Sequence, residues 1–211
     1  MIRGLVVDDH AVVRKGLVQI LADLDVMRGV TLDEATSGAE MLQAVGDGSY
    51  DFVLLDIALP DMNGLDVLKQ VHRLCPDLPV LMLSIYPEKQ YAVRSLQAGA
   101  SGYLSKESAP EELLTAVRQV LSGGRYISQN VAESLTDSLL RDRSEPTLDS
   151  LSDREYQVLC MFGQGKTVTQ IADYLSISVK TVSTYRRRIL TKLDLTTTAE
   201  LIQYAVHHDL A

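Results

Sequence analysis

The first 122 residues alternate between short apolar runs and stretches in which apolar side chains recur at helical spacing. Runs of about four to seven residues suit buried parallel strands, and they lie at 2–8, 30–35, 51–56, 78–83 and 101–104. Strand and helix repeated five times predict an α/β domain. We expect a five-stranded, doubly wound parallel sheet with helices on both of its faces.

Polar side chains stand where the predicted strands end. Asp8 and Asp9 close the first strand, Asp56 closes the third, and Ser84 and Lys106 follow the fourth and fifth. Because ligands of open parallel sheets bind beyond the carboxyl ends of the strands, we expect these groups to converge. Mg²⁺ prefers oxygen ligands, and a lysine can pair with phosphoryl oxygens. The sequence therefore predicts a site for Mg²⁺ and for phosphoryl transfer to an aspartate.

Two neighbouring side chains have two interpretations each. Tyr103 fits a half-buried strand aromatic, which the pattern alone favours, or a side chain that changes rotamer as Ser84 moves. His10 follows the acidic pair directly, and we interpret it as a residue at the start of a helix rather than as a metal ligand.

A magnesium-dependent phosphohydrolase with Asp56 as its nucleophile is the alternative from a different class. Such enzymes commonly carry an acid two residues after the nucleophile to protonate the leaving group, and that residue is Ala58 here. We therefore do not expect an enzyme.

The remaining residues form a linker and a second domain. Gly123 and Gly124 end the α/β pattern, and residues 123–147 read as a linker that is helical in part. Residues 148–211 predict an all-α domain with a helix-turn-helix at its centre. Ser152 and Glu155 have the spacing of a capping box, and Ser178 is a further candidate N-cap.

Positive charge is concentrated on one stretch of the second domain. The net charge of the chain is -8, yet residues 178–192 contain five basic side chains and no acidic one. A solvated basic helix face is the plainer interpretation, but the preceding helix and tight turn favour a recognition helix in the DNA major groove. The candidate DNA-binding residues are Lys180, Thr181, Ser183, Thr184, Tyr185, Arg186, Arg187, Arg188 and Lys192.

Export and membrane insertion are not expected. Asp8 and Asp9 interrupt any apolar core at the N-terminus, and no run approaches the roughly 18 apolar residues of a membrane helix. We expect a cytoplasmic protein. Cys75 and Cys160 are far apart, so we expect reduced thiols without a metal role.

Taken in order, the motifs resemble those of two-component response regulators of the NarL/FixJ type, which join a receiver domain to a LuxR-type helix-turn-helix domain. Within that family the Ser-Thr-Tyr-Arg run at 183–186 is similar to the GacA/UvrY and BvgA regulators. The segments that carry the resemblance are Val-Asp-Asp-His at 7–10, Asp-Ile-Ala-Leu-Pro-Asp-Met-Asn-Gly at 56–64, Leu-Ser at 83–84, Ala-Gly-Ala-Ser-Gly-Tyr-Leu-Ser-Lys at 98–106, Leu-Ser-Asp-Arg-Glu at 151–155, and residues 171–185.

The resemblance implies a role for each matching residue. It implies a CheY-like (flavodoxin-like) receiver domain at 1–122 and a LuxR-type domain at 148–211. The implied roles are Asp56 as phosphoacceptor, Asp8, Asp9, Asp56 and the Ala58 carbonyl as Mg²⁺ ligands, Ser84 and Tyr103 as a switch pair, Lys106 as the phosphoryl-binding lysine, and Ser183, Thr184 and Arg187 as base contacts.

The resemblance also implies partners. They are a sensor histidine kinase, double-stranded promoter DNA, a second copy of the chain after activation, and RNA polymerase, with no membrane. Ser183 and Thr184 replace the lysine and valine of some family members, which leaves the operator sequence open. An atypical regulator that binds DNA without phosphorylation is a further alternative, and the intact acidic and lysine set argues against it.

Overall fold

The computed structural model describes residues 2–22, 29–85, 88–108, 110–128, 131–132, 148–208 and 210. The chain separates into two compact units, Met1–Leu139 and Leu140–Ala211. Among the described residues, no helix combines the length and the apolar character that crossing a membrane requires.

A parallel five-stranded sheet forms the centre of the first unit. Its strands run in the order β2-β1-β3-β4-β5, which confirms the predicted doubly wound sheet. The central strands β3 and β4 are buried along their whole length, whereas the edge strand β2 is partly exposed. The strands are β1 (Ile2–Val7), β2 (Val30–Ala35), β3 (Phe52–Asp56), β4 (Val80–Ser84) and β5 (Gly102–Ser105).

Helices cover both faces of this sheet. Residues of α1 and α5 join alternate strand residues such as Val6, Leu54 and Leu104 in one buried apolar cluster. Helices α2 and α3 contact each other and bury a separate set of side chains on the opposite face, while α4 packs against β5. The helices are α1 (Ala11–Ala22), α2 (Gly38–Asp47), α3 (Gly64–Leu74), α4 (Glu88–Gln97) and α5 (Pro110–Leu121).

The strand order places the polar side chains at one edge. The order reverses between β1 and β3, and in doubly wound sheets the ligand crevice lies outside the carboxyl ends of the strands at such a reversal. Asp8 follows β1 directly and Asp56 is the last residue of β3, so both carboxylates lie at this point.

The first residues of the predicted linker pack on the first unit. The backbone N–H of Tyr126 donates to the carbonyl of Ser101 at 2.8 Å, and its hydroxyl donates to Glu112 at 2.7 Å. The division into two units does not test the predicted domain boundaries at 122 and 147, which stay predictions. Most of the predicted linker helix lies outside the described residues.

The second unit is helical throughout its described part. The predicted capping box of Ser152 and Glu155 and the predicted N-cap Ser178 are both present. Helix α6 packs against α8 and α9, and α7 packs against α8. Ser176 has a positive φ of 51° in the turn between α7 and α8. The helices are α6 (Asp153–Gly163), α7 (Val168–Tyr174), α8 (Val179–Lys192) and α9 (Thr198–His207), preceded by a short 3₁₀ turn, Leu148–Ser150.

Candidate functional site

Two buried carboxylates share one lysine at the edge of the sheet. Asp8 and Asp56 are only 1% and 2% exposed. The Lys106 Nζ lies 2.6 Å from Asp8 Oδ2 and 2.6 Å from Asp56 Oδ2. Lys106 reaches this position because it follows β5 directly, and its backbone N–H continues the sheet by donating to the carbonyl of Ser84. Lys106 therefore contacts two of the three carboxylates that the sequence predicts to converge with it.

Asp9 and His10 complete a cluster of possible metal ligands. Ligand atoms of Asp8, Asp9, His10 and Asp56 all lie within 4.8 Å of one another. Asp9 is more exposed than Asp8, and its Oδ1 lies 2.6 Å from His10 Nδ1. The three carboxylates form an oxygen-rich donor set, which fits a hard cation such as Mg²⁺. This first unit thus carries an acidic cluster compatible with Mg²⁺.

Burial dominates the electrostatics of Asp56. It raises the pKa of Asp56 to about 6, although the Lys106 charge opposes the shift and Asp8 adds to it. Burial would also lower the pKa of Lys106, but Asp56 and Asp8 outweigh it, and the pKa of Lys106 is raised. The lysine therefore stays charged at neutral pH, while Asp56 is ionised at a net electrostatic cost. A divalent cation beside Asp56 would offset this cost.

A tight loop after β3 positions the Ala58 backbone. Ala58 forms an isolated antiparallel bridge with Asn63, and the N–H of Gly64 donates to the carbonyl of Ile57 at 2.8 Å. The Asn63 side chain caps α3 by accepting from the N–H of Leu65 at 2.9 Å. A Cβ at Gly64 would overlap the backbone carbonyl of Asp56. Only glycine therefore fits at position 64, where the loop packs against the backbone of Asp56.

Asp61 fastens the same loop to α2. Its two carboxylate oxygens accept from the N–H groups of Gly38 and Ala39, each at 2.9 Å. Burial opposes the ionisation of Asp61, but these backbone donors outweigh it, and the pKa of Asp61 lies below its ordinary value. Sequence reasoning missed this link because the two residues that it joins are more than 20 positions apart.

Ser84 and Tyr103 lie buried on the adjacent strands β4 and β5. Ser84 is the last residue of β4, and Tyr103 pairs in register with Met82. Tyr103 is more deeply buried than the half-buried position that the pattern alone favours.

Arg14 is a second residue that sequence reasoning missed. Its guanidinium donates to the backbone carbonyl of Asp8 at 2.7 Å and to Glu34 at 3.0 Å. It thereby supports the turn that carries the acidic pair. A cation six residues after Asp8 is ordinary on a helix, so no sequence signal distinguishes it.

In the second unit, α8 presents a basic and hydroxyl-rich surface. Val182 and Ile189 face the interior of the unit. The opposite side carries Lys180, Thr184 and Arg187, which are three or four residues apart and so share a face. An open recess beside this face is lined by Ser178, Lys180, Thr181, Thr184, Tyr185 and Arg188.

The hydroxyls of two predicted base-contacting residues are bonded to their own helix. Ser183 donates to the carbonyl of Val179 at 2.9 Å, and Thr184 donates to the carbonyl of Lys180 at 3.0 Å. Their oxygens still have free lone pairs, so both can accept hydrogen bonds from a base edge.

Two of the predicted DNA-binding cations, Lys192 and Arg186, bond to other residues of the second unit. Lys192 Nζ lies 2.6 Å from the carboxylate of Glu155 and donates to the carbonyl of Ser150 at 2.9 Å. Arg186 lies 3.3 Å from the hydroxyl of Thr198. The roles assigned to individual residues from the sequence stay predictions, since geometry alone does not test them.

Comparison with known families accounts for both units. Residues 5–118 match the family described as "Response regulator receiver domain". Residues 149–205 match "Bacterial regulatory proteins, luxR family". Together these matches include both candidate sites and most of the chain.

Relatives of known name match along the whole chain. Response regulator UvrY of Escherichia coli (strain K12) is 36% identical over 211 residues, which is 100% of this chain and 96% of that protein. Response regulator GacA of Pseudomonas aeruginosa is 38% identical over 211 residues, again 100% of this chain and 98% of that protein.

Solved structures show the same architecture. The Salmonella typhimurium RcsB response regulator superposes with a TM-score of 0.62 at 22% identity, covering 98% of this chain and 100% of RcsB, and it supports the fold alone. Response regulator ChrA of a heme-sensing two-component system gives a TM-score of 0.52 at 31% identity, covering 100% of this chain and 98% of ChrA. The family predicted from the motifs is thus confirmed, and the chain belongs to the LuxR family of two-component response regulators, with a receiver domain followed by a DNA-binding domain.

Proposed function

We propose that the chain is switched by phosphorylation of Asp56 and that the phosphorylated form binds promoter DNA as a dimer. The observation that carries this proposal is the contact of one lysine with two buried carboxylates, Asp8 and Asp56, beside an oxygen-rich donor set. A lysine that is already positioned at the site can neutralise the negative charge of an incoming phosphoryl group without rearrangement.

The donor in this proposal is the phosphohistidine of a sensor kinase. One Asp56 carboxylate oxygen attacks the phosphorus, the P–N bond to the histidine breaks, and a P–O bond forms on Asp56. The electron pair of the broken bond stays with the imidazole, which accepts a proton. Bound Mg²⁺ supplies charge neutralisation between the carboxylate and the phosphoryl oxygens. Asp8, Asp9, Asp56 and the Ala58 carbonyl would hold it.

Phosphorylation changes the charge around Lys106. A carboxylate of charge -1 becomes a group of about -2 with three strong acceptor oxygens, by analogy with other protein phosphates. Lys106 then favours the phosphoryl oxygens over Asp8, and the Ser84 hydroxyl can donate to the same group. We propose that Tyr103 follows Ser84, so that α4, β5 and α5 shift together.

The output in this proposal is DNA binding by α8. Two copies would place their α8 helices in major grooves about one helical turn apart. Ser183, Thr184 and Arg187 would contact bases, with Arg187 suited to guanine. Lys180, Thr181, Tyr185 and Arg188, which line the recess, would contact phosphates. Contact with RNA polymerase belongs to the same proposal.

Promoter affinity with and without phosphorylation tests the proposal. Acetyl phosphate with Mg²⁺ should phosphorylate Asp56, shift the chain toward dimers in sedimentation analysis, and raise its affinity for DNA fragments enriched from genomic DNA. Asp56→Ala should remove all three effects. Asp77→Ala is a matched control, because Asp77 is also an aspartate of the first unit but is exposed and precedes β4, at the opposite end of the sheet. Equal DNA affinity with and without acetyl phosphate would refute the switch.

The phosphohydrolase alternative has its own test. Ala58 offers no acid to a leaving group, so we expect slow loss of the phosphoryl group from Asp56 and no turnover of generic phosphate esters. Multiple turnover of p-nitrophenyl phosphate that disappears in Asp56→Ala would favour the enzyme instead.

A further inference from the structure

Lys192 stands at the end of the basic helix, but its contacts point into the protein. It is the last residue of α8, and its Nζ bonds Glu155 on α6 and the carbonyl of Ser150 in the 3₁₀ turn. Among the described residues, no ion pair is formed by Lys180, Arg187 or Arg188, which share the same helix. Lys192 therefore differs from Lys180, Arg187 and Arg188, because it forms an ion pair within the unit.

The buried carboxylate of Glu155 accepts several hydrogen bonds. Its side chain is 3% exposed, and it accepts from the N–H of Ser152 at 2.8 Å as the second half of the capping box. Burial disfavours its charge, but Lys192 and Ser152 outweigh burial, and the pKa of Glu155 is lowered. Without Lys192, a buried carboxylate would lose its only charged partner among the described residues, which is strongly unfavourable.

We propose that Lys192 is a positioning residue that fixes the C-terminal end of α8 to the N-terminal end of α6 through Glu155, and that it does not bind a DNA phosphate. This inference rests on the proposed DNA binding by α8. Ser178 caps α8 at its N-terminal end, and the ion pair of Lys192 with Glu155 would anchor its C-terminal end.

Salt dependence distinguishes positioning from phosphate binding. Each phosphate contact contributes about 0.9 to the slope of log affinity against log salt. A positioning residue contributes nothing to that slope, although its loss weakens binding by letting the helix move. Lys180 is a matched control, because it is a lysine of the same helix, lies at the opposite end and faces the recess.

The experiment measures DNA affinity at several salt concentrations for the phosphorylated full-length chain. Lys192→Met should weaken binding several-fold and leave the slope unchanged, whereas Lys180→Met should reduce the slope by about 0.9 per phosphate contact. Glu155→Gln should reproduce the effect of Lys192→Met, and the double variant should be no weaker than either single one. Lys192→Arg, which can still reach Glu155, should recover most of the affinity.

Folding is checked separately, because Lys192→Met leaves a buried charge. Cys160 is fully buried in α6, so thiol labelling in a Cys75→Ser background reports any unfolded fraction, and the double variant removes the unpaired charge. A slope reduced by Lys192→Met as much as by Lys180→Met would overturn the proposal, as would additive effects of the two substitutions in the double variant. Failure of the wild-type chain to bind DNA would refute the proposed function itself.

Discussion

Asp56 should lower the stability of the metal-free receiver domain at neutral pH, so Asp56→Asn should raise it. The pKa of Asp56 is about 6 in the folded chain against an ordinary 3.8. At about 1.4 kcal/mol per pKa unit, the roughly two-unit difference corresponds to about 3 kcal/mol. Asparagine keeps the size of the side chain and removes the buried charge, so about 3 kcal/mol is the upper limit of the gain.

The pH dependence has a definite sign. A raised pKa means that the folded carboxyl holds its proton more tightly than the unfolded one, so the folded state is favoured at low pH. The cost of Asp56 is absent below about pH 4 and is fully present above about pH 6. The advantage of Asp56→Asn should therefore be large at pH 7.5 and should shrink as the pH falls through 6.

The stability of the receiver domain is measured by urea titration of the full chain in EDTA. Unfolding is followed by hydrogen exchange, because peptides from each unit report separately. Asp61→Asn is a control of opposite sign, since the pKa of Asp61 is lowered by its bonds to α2. Its loss should destabilise the receiver at pH 7.5, with the difference fading as the pH falls. Destabilisation by Asp56→Asn at pH 7.5, or a gain that is equal at pH 5 and 7.5, would refute the reasoning.

The same geometry gives three further predictions. Gly64→Ala should destabilise the receiver by about 3 kcal/mol or more in the same urea titration, because the new Cβ would overlap the Asp56 carbonyl. Gly16→Ala is the control: its Cβ would meet nothing within 4 Å, so it should be neutral or stabilising by up to about 1 kcal/mol. Mg²⁺ at about 100 times its Kd should stabilise the wild-type receiver by about 2.7 kcal/mol over EDTA, and thermal unfolding should show a smaller gain in Asp56→Asn. Ser152→Ala should cost the DNA-binding domain about 1 kcal/mol through loss of the cap of α6, with no change in hydrogen exchange of the receiver.

Local signals in the sequence are sufficient for the architecture and for the grouping of the acidic site. Strand ends are recognisable from apolar runs, and parallel strands bring their carboxyl ends to one edge, so the spacing of Asp8, Asp56 and Lys106 along the chain is enough to group them. The caps at Ser152 and Ser178 are equally readable, because an N-cap bonds a backbone N–H only two or three residues away.

Contacts between distant segments depend on tertiary packing. Nothing in the sequence pairs Asp61 with α2, Arg14 with the Asp8 carbonyl or Lys192 with Glu155, since each pair depends on how helices pack rather than on local spacing. Lys192 shows the limit most clearly: its place in a basic run favours DNA, and only the packing of α8 against α6 gives it a buried partner. Local patterns along the chain thus specify which elements form and where the acidic site lies. The three-dimensional packing specifies which charges face outward and which hold the domain together, because the net effect of a charge depends on its burial and on its partner.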